Sequence, residues 1–242
     1  MAFRIQAKGK TAELWLYCVV GDSWWDDCIT AKQFADQLNA HKDISTILLH
    51  INSPGGCVFD GIAIYNLLRS HKARVEVEIE GLAASIASVI AMSGDVIRMA
   101  ANSFFMIHDP WTTAMGTAKD MRDTAIRLDL VKSNIVDSYM HRTSDRTSRQ
   151  QVEEWMDAET WLTAQEALDV GFIHEISNSL DMAASADRMR YDFKRYGFKR
   201  LPQKVAGHKI PDDVARRAGI ARMQMHVQQT QLAAKKQAVG KL

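Results

Sequence analysis

Gly81-Leu82-Ala83-Ala84-Ser85-Ile86-Ala87 places one hydroxyl where a strand-like run, Val75 to Glu80, gives way to a helix of small residues. An oxygen at such a turn lies beside unpaired backbone N–H groups and the positive end of a helix dipole. Both favour the negative charge that develops during acyl transfer. Ser is also among the commonest helix N-caps, so position alone favours a structural cap for Ser85 until chemical partners are found.

Phe104-Phe105-Met106-Ile107-His108-Asp109-Pro110 ends a buried strand with an imidazole at the point where the chain leaves the sheet. A neutral imidazole can take the proton of a serine hydroxyl and return it to a leaving amine. Of the other histidines, His50 is expected to face the core from a strand, and His41, His71, His141, His174, His208 and His226 to lie on the surface or in loops. The arrangement needs a carboxylate to hold the ring in one tautomer and stabilise its charged form. Asp157 is the choice, because it follows a short helix capped at Ser148 and precedes Trp161, which anchors the segment. Asp109 is the rival next to His108, but neighbours on an extended chain point apart. Glu159 is a further rival. Ile51-Asn52-Ser53-Pro54-Gly55-Gly56 ends a strand in a turn whose glycines let backbone amides approach a ligand. The N–H groups of Gly56 and Ile86 are assigned as oxyanion donors, with an ordinary tight turn as the alternative for the Pro-Gly-Gly segment.

The elements that must position these groups alternate. Glu13–Val19 reads as a strand, and Thr30 with Gln33 is a capping box opening a helix to about Asn39. Thr46–Ile51 reads as a buried parallel strand, 59–69 as a helix, 75–80 as a strand, 85–92 as a helix, and 96–99 and 103–107 as short strands. The longest helical pattern runs from Ala118 to about Met140. Its Thr117, Thr124, Ala125, Leu128, Val131 and Ile135 are compatible with either a contact face or a core face. Ser148 with Gln151 and Thr163 with Glu166 cap two further helices. The second ends at Gly171 before a last strand, Phe172–Ile176. That order predicts an α/β fold with a largely parallel sheet and right-handed crossovers, binding ligands at the carboxyl ends of strands.

The chain has 242 residues, 47% of them apolar and 24% charged, enough for a sizeable core in one domain plus an appendage. The three cysteines, Cys18, Cys28 and Cys57, lack Cys-x-x-Cys spacing, which argues against a disulfide framework and a structural zinc site. No leader or membrane-spanning run is evident, and a soluble, cytoplasmic protein is expected. The net charge of +1 conceals a division: residues 188–242 hold 14 Lys/Arg against 3 Asp/Glu, leaving 16 against 26 before them. The reading is a body over 1–177, a linker over 178–187 and a basic tail over 188–242, with helical stretches near 183–196 and 211–238 but partial disorder overall. The tail lacks the aromatic interleaving of a single-strand binding platform, so specific nucleic-acid recognition is not expected.

Three of these segments, 51–56, 81–85 and 106–110, resemble the three motifs of the Clp protease proteolytic subunit family. Trp161-Leu162-Thr163-Ala164-Gln165-Glu166-Ala167 with Gly171 resembles its closing segment, in the same order, over roughly residues 13 to 177. The resemblance implies a serine peptidase of crotonase-like fold, built from repeated β-β-α units with a protruding long helix. Ser85 would be the nucleophile, His108 the general base and Asp157 the orienting carboxylate. It further implies homo-oligomeric rings, met through the helix 118–140, acting on polypeptide substrates without cofactor or metal. Ile86-Ala87 stands where the family usually has Met-Gly, a change that keeps the backbone donor, and the segment around Asp157 matches less well. The basic tail and the Asp157-Ala158-Glu159-Thr160-Trp161 segment are more like the phage and prophage branch, whose members mature viral capsids. Gly9-Lys10-Thr11 has only the closing residues of a phosphate-binding loop, with Arg4 where its first glycine belongs, so any ATP use needs a separate unfoldase. Two other readings compete: a non-catalytic assembly scaffold whose tail recognises a capsid or scaffold protein, and a crotonase-like acyl-coenzyme A enzyme.

Overall fold

The computed structural model describes residues 3–22, 28–41, 43–143 and 146–177. The expected linker and basic tail lie outside the described residues. Strands β1 (Phe3–Lys8) and β2 (Thr11–Leu16) form an antiparallel hairpin whose turn carries Gly9 at φ 62°. The Gly9-Lys10-Thr11 triplet therefore serves a tight turn, where positive φ favours glycine. The strand expected over Glu13–Val19 is broken after Leu16. Val19–Val20 instead forms β3, paired in parallel with β4 (Cys28–Ile29).

The chain continues through α1 (Ala31–Asn39), β5 (Thr46–Ser53), α2 (Val58–Ser70), β6 (Arg74–Ala84), α3 (Ile86–Ala91), β7 (Val96–Ala100) and β8 (Phe104–Ile107). It closes with α4 (Ala118–Thr143), α5 (Arg149–Asp157), β9 (Thr160–Thr163), α6 (Ala164–Val170) and β10 (Glu175–Ser177). All three capping boxes form with reciprocal bonds, at Thr30/Gln33, Ser148/Gln151 and Thr163/Glu166, and Gly171 ends α6 at φ 90°. The last strand starts later than Phe172 because the N–H groups of Phe172 and Ile173 turn back to the carbonyl of Ala167, at 2.9 and 3.3 Å.

The main sheet runs β1-β2-β5-β6-β7-β10, parallel throughout except at the β1 edge. β6 is the strand the site depends on. Its Glu76–Ile79 segment pairs with β7, and its Leu82–Ala84 segment pairs with β8, which in turn holds β9 antiparallel. The strand thus runs through Gly81 and ends directly at Ser85, beyond the Glu80 limit expected from sequence.

Leu14, Leu16, Ile47, Leu49, Ile51, Val75, Val77 and Ile79 fill the core from one face of the sheet. His50 is not among them. Alternation along β5 gives Leu49 and Ile51 to the core and turns His50 to the opposite face. There His50 stacks on Trp15 at 5.1 Å, and its Nδ1 lies 2.8 Å from Glu80 Oε1. Burial pushes the Glu80 carboxyl up to about 7 and the His50 imidazole down. Beside this pair, Arg98 binds Glu76 at 3.0 Å and Glu78 at 3.4 Å and also reaches Glu175. A carboxyl whose pKa is raised on folding contributes stability that is present at low pH and lost as pH rises through the folded value. Glu80→Gln is therefore expected to gain thermal midpoint over the wild type as pH rises from 5 to 8, measured by melting at each pH.

Helix α4 divides along its length. Ile135, Val136, Tyr139 and Thr143 are buried, whereas Met121, Ile126 and Leu130 are exposed. Of the face expected from sequence, Ile135 belongs to the core, Thr124, Leu128 and Val131 are half-buried, and Thr117 and Ala125 are exposed. Among the described residues no helix is long and apolar enough to cross a membrane.

Candidate active site

Parallel pairing of β6 with β8 sets Ala84 opposite Met106, and the Ser85 N–H donates to the Met106 carbonyl at 3.0 Å. Ser85 thus leaves the sheet one residue after its paired position and His108 two residues after, on adjacent strands. Their side chains meet, with His108 Nε2 2.8 Å from Ser85 Oγ. A serine hydroxyl donating to Nε2 requires the ring proton on Nδ1. Ser85 holds φ 54° and ψ −130°, a conformation L residues rarely adopt and one that costs on the order of 1–3 kcal/mol. Its side chain makes no capping bond to α3. The structural-cap reading of Ser85 therefore fails on geometry: the hydroxyl points to an imidazole instead of an amide.

The glycine turn presses against this elbow. Gly55 has φ 91°, and a Cβ built there would stand 2.7 Å from the Ala84 carbonyl, 2.8 Å from Ser85 Cβ and 3.0 Å from Ile86 N. Gly56 forms a parallel bridge with Val20, and a Cβ on it would stand 2.1 Å from the Val20 carbonyl. Val20 N–H donates to the Gly55 carbonyl at 2.8 Å and Cys57 N–H to the Val20 carbonyl at 2.7 Å, so the turn is stitched down on both sides. Inside it, Ser53 Oγ binds the Cys18 carbonyl at 2.5 Å and accepts from Gly55 N–H at 3.1 Å. Gly61 of α2 leaves room for Ile86: a Cβ there would stand 2.1 Å from Ile86 Cγ1. The Ile86 side chain thus fills the space left by a glycine on the facing helix. Gly55→Ala is expected to displace the elbow and slow the reaction of Ser85 with a fluorophosphonate by about 10²-fold, since a misplacement near 1 Å costs that much. The rate of labelling checks it.

A cavity of about 240 Å³ opens over the pair, lined by Pro54, Gly56, Cys57, Val58, Ser85, His108, Pro110 and Trp111. Trp111 stands half-exposed at its rim. This lining is mixed, with the apolar side chains of Pro54, Val58, Pro110 and Trp111 beside the polar pair Ser85 and His108.

The carboxylates gather on the α4 side. Asp157, the last residue of α5, is exposed and paired with Lys132 of α4, and the same Nζ lies 2.9 Å from Asp109 Oδ1. The Lys132 ammonium holds the Asp157 carboxyl below its usual range, while burial pushes that of Asp109 up. Asp109 thus faces Lys132, as expected for a side chain pointing away from its neighbour. Glu159 is buried and holds φ 52°. Sequence reasoning missed Lys132, which lies 25 residues from Asp157 and carries no local signal.

Comparison with known proteins bears on this geometry. The Clp protease family model matches residues 22–179. A protein of Bacteroides thetaiotaomicron, named ATP-dependent Clp protease proteolytic subunit, is 33% identical over 150 residues, covering 59% of this chain and 64% of its own length. The protein of the same name from Streptococcus pneumoniae (strain 70585) is 35% identical over 168 residues, covering 67% of this chain and 83% of its own. Subunit 1 of Protochlamydia amoebophila is 32% identical over 139 residues, 56% of this chain and 66% of that protein. The chain thus spans about two thirds of the length of several curated relatives that it matches. The α/β architecture, with its parallel sheet and long helix α4, is that of the crotonase-like Clp fold. With a family model covering more than half its residues and relatives above 30% identity, the chain belongs to the Clp protease family.

Proposed function

We propose that the protein is a serine endopeptidase of Clp type that cleaves polypeptides through an acyl-enzyme. The observation that carries this reading is the 2.8 Å contact between Ser85 Oγ and His108 Nε2, made by a serine in a strained backbone conformation. Ser85 Oγ attacks the scissile carbonyl while His108 Nε2 takes its proton, and the carbonyl π electrons move onto oxygen. Amides of Gly56 and Ile86 stabilise that oxyanion. Collapse expels the amine, which receives the proton from His108. Water, deprotonated by the same ring, then releases the carboxylate product and restores Ser85. The carboxylate that orients the imidazole is assigned among the three candidates Asp157, Asp109 and Glu159: Asp157 is exposed and held by Lys132, Asp109 shares that ammonium, and Glu159 is buried.

The apolar part of the lining, Pro54, Val58, Pro110 and Trp111, suits a hydrophobic side chain beside the cleaved bond. Exposed Met121, Ile126 and Leu130 on α4 favour assembly into homo-oligomeric rings through that helix. The relatives' names describe ATP-dependent proteins, and dependence on a separate ATP-driven unfoldase is the corresponding reading here. A role in maturing phage capsid or scaffold proteins rests on the basic segment 188–242.

The test is a pair of assays on the assembled protein: hydrolysis of fluorogenic peptides and turnover of a crotonyl thioester. Peptide cleavage without thioester turnover is expected. Thioester turnover alone would transfer the fold to acyl-coenzyme A chemistry, and inactivity in both would favour the scaffold reading.

A further inference from the structure

Ser88 is fully buried in α3, where its neighbours Ala87, Val89, Ile90 and Ala91 are apolar. A buried hydroxyl is costly unless satisfied, and this one is bonded on both sides. Ser88 Oγ lies 2.5 Å from the Ser85 carbonyl oxygen and 2.7 Å from the Tyr139 hydroxyl of α4. Proton accounting fixes the direction. The carbonyl only accepts, so the single Ser88 hydroxyl proton goes to it, and Tyr139 must donate to Ser88 Oγ. Burial raises the Tyr139 phenol well above its usual range, so it keeps that proton.

The Ser85 carbonyl also accepts from Ser88 N–H at 3.0 Å, so two donors from one residue hold it. That carbonyl belongs to the same peptide unit as Ile86 N–H. A trans peptide is planar and its C=O and N–H point in opposite directions, so fixing one end aims the other. The Ile86 nitrogen is on the Gly55 side, 3.0 Å from where a Gly55 Cβ would stand. The Tyr139 ring is itself held, edge-on to Phe172 at 5.4 Å, and Phe172 stacks on Phe105 of β8 at 5.1 Å.

We propose that Ser88, held by Tyr139, is a positioning residue that fixes the Ser85–Ile86 peptide plane and so aims the Ile86 amide at the developing oxyanion. This rests on the reading of Ser85 as nucleophile. The bond chain restrains the one backbone torsion, ψ of Ser85, on which that aim depends. It also joins the elbow to α4, whose first half is exposed.

The test uses fluorogenic peptide hydrolysis together with inhibition by a peptide boronate, which forms a tetrahedral adduct with the serine. Ser88→Ala removes one of two bonds to the carbonyl, and should lower kcat about tenfold with KM little changed, below the ~10²–10³ expected for complete loss of an oxyanion donor. Boronate Ki should rise in parallel with the fall in kcat/KM. Tyr139→Phe keeps the ring packing and should lower kcat about threefold. The double variant should match Ser88→Ala alone, because both act through one bond chain. Unchanged kcat and boronate affinity in Ser88→Ala, or additive losses in the double variant, would overturn the proposal. If Ser88→Ala melts too low to assay, Tyr139→Phe decides: loss of kcat with unchanged boronate affinity counts against it. Peptide hydrolysis that survives Ser85→Ala would instead remove the underlying nucleophile reading.

Discussion

Ser85→Ala is expected to fold and assemble normally while losing peptide hydrolysis by about 10⁵-fold or more. The loss is large because the nucleophile cannot be replaced by the ring that activates it, and water in its place lacks the same alignment. Folding should survive because the Ser85 side chain caps nothing in α3; its partner is His108. Ala and Ser also bear the same Cβ cost at φ 54°. Ser85→Gly, equally inactive, should be more stable than the Ala variant by about 1 kcal/mol, because glycine relieves that strain. Peptide assays and thermal melts on the two variants measure both parts.

Loss of the carboxylate that orients His108 carries the second largest expected effect, a fall in kcat/KM of about 10³–10⁴-fold because an amide favours the wrong tautomer of the imidazole, and Asp157→Asn and Glu159→Gln are the variants in which it is expected to show. Asp109→Asn is expected to lose less than about tenfold, the scale of one disturbed charged hydrogen bond. The comparison of Asp157→Asn with Asp109→Asn is informative because one ammonium, Lys132, holds both carboxylates, so charge loss near the site is similar in the two variants. A larger loss in Asp109→Asn would move the orienting role to Asp109. Parallel kcat/KM measurements with one fluorogenic peptide decide among them.

Local signals were legible where the determining atoms lie within a few residues of one another. The capping boxes at Thr30, Ser148 and Thr163 were readable because cap and reciprocal Gln or Glu are three residues apart. The turn at Gly55-Gly56 and the strand-to-helix change at Ser85 were readable for the same reason. Side of burial was not: His50 sits in an apolar run, and only the pairing of β5 fixes which face meets the core. Strand β9 was missed because four residues, Thr160–Thr163, are too few to show alternation. The β1 strand was missed although Phe3-Arg4-Ile5-Gln6-Ala7-Lys8 alternates apolar and polar residues, the period-2 signal of a half-buried edge strand.

The site divides in the same way. Ser85 and His108 were candidates by type and position, but their contact depends on the β6–β8 register, which places Ala84 beside Met106. Whether Ser85 caps or reacts was undecidable from sequence, because both roles call for the same residue at the same turn. Ser88 and Tyr139 are 51 residues apart, and the one local hint was a hydroxyl inside an apolar helix. Lys132 gave none, since a lysine on a long charged helix is ordinary.

The proposed peptidase mechanism turns most directly on the reactivity of one oxygen, and fluorophosphonate labelling of the assembled protein with mass-spectrometric mapping reads it. The predicted result is a single adduct on Ser85 that disappears in His108→Gln. An adduct on a different residue, or none on protein shown to be assembled and folded, would contradict it.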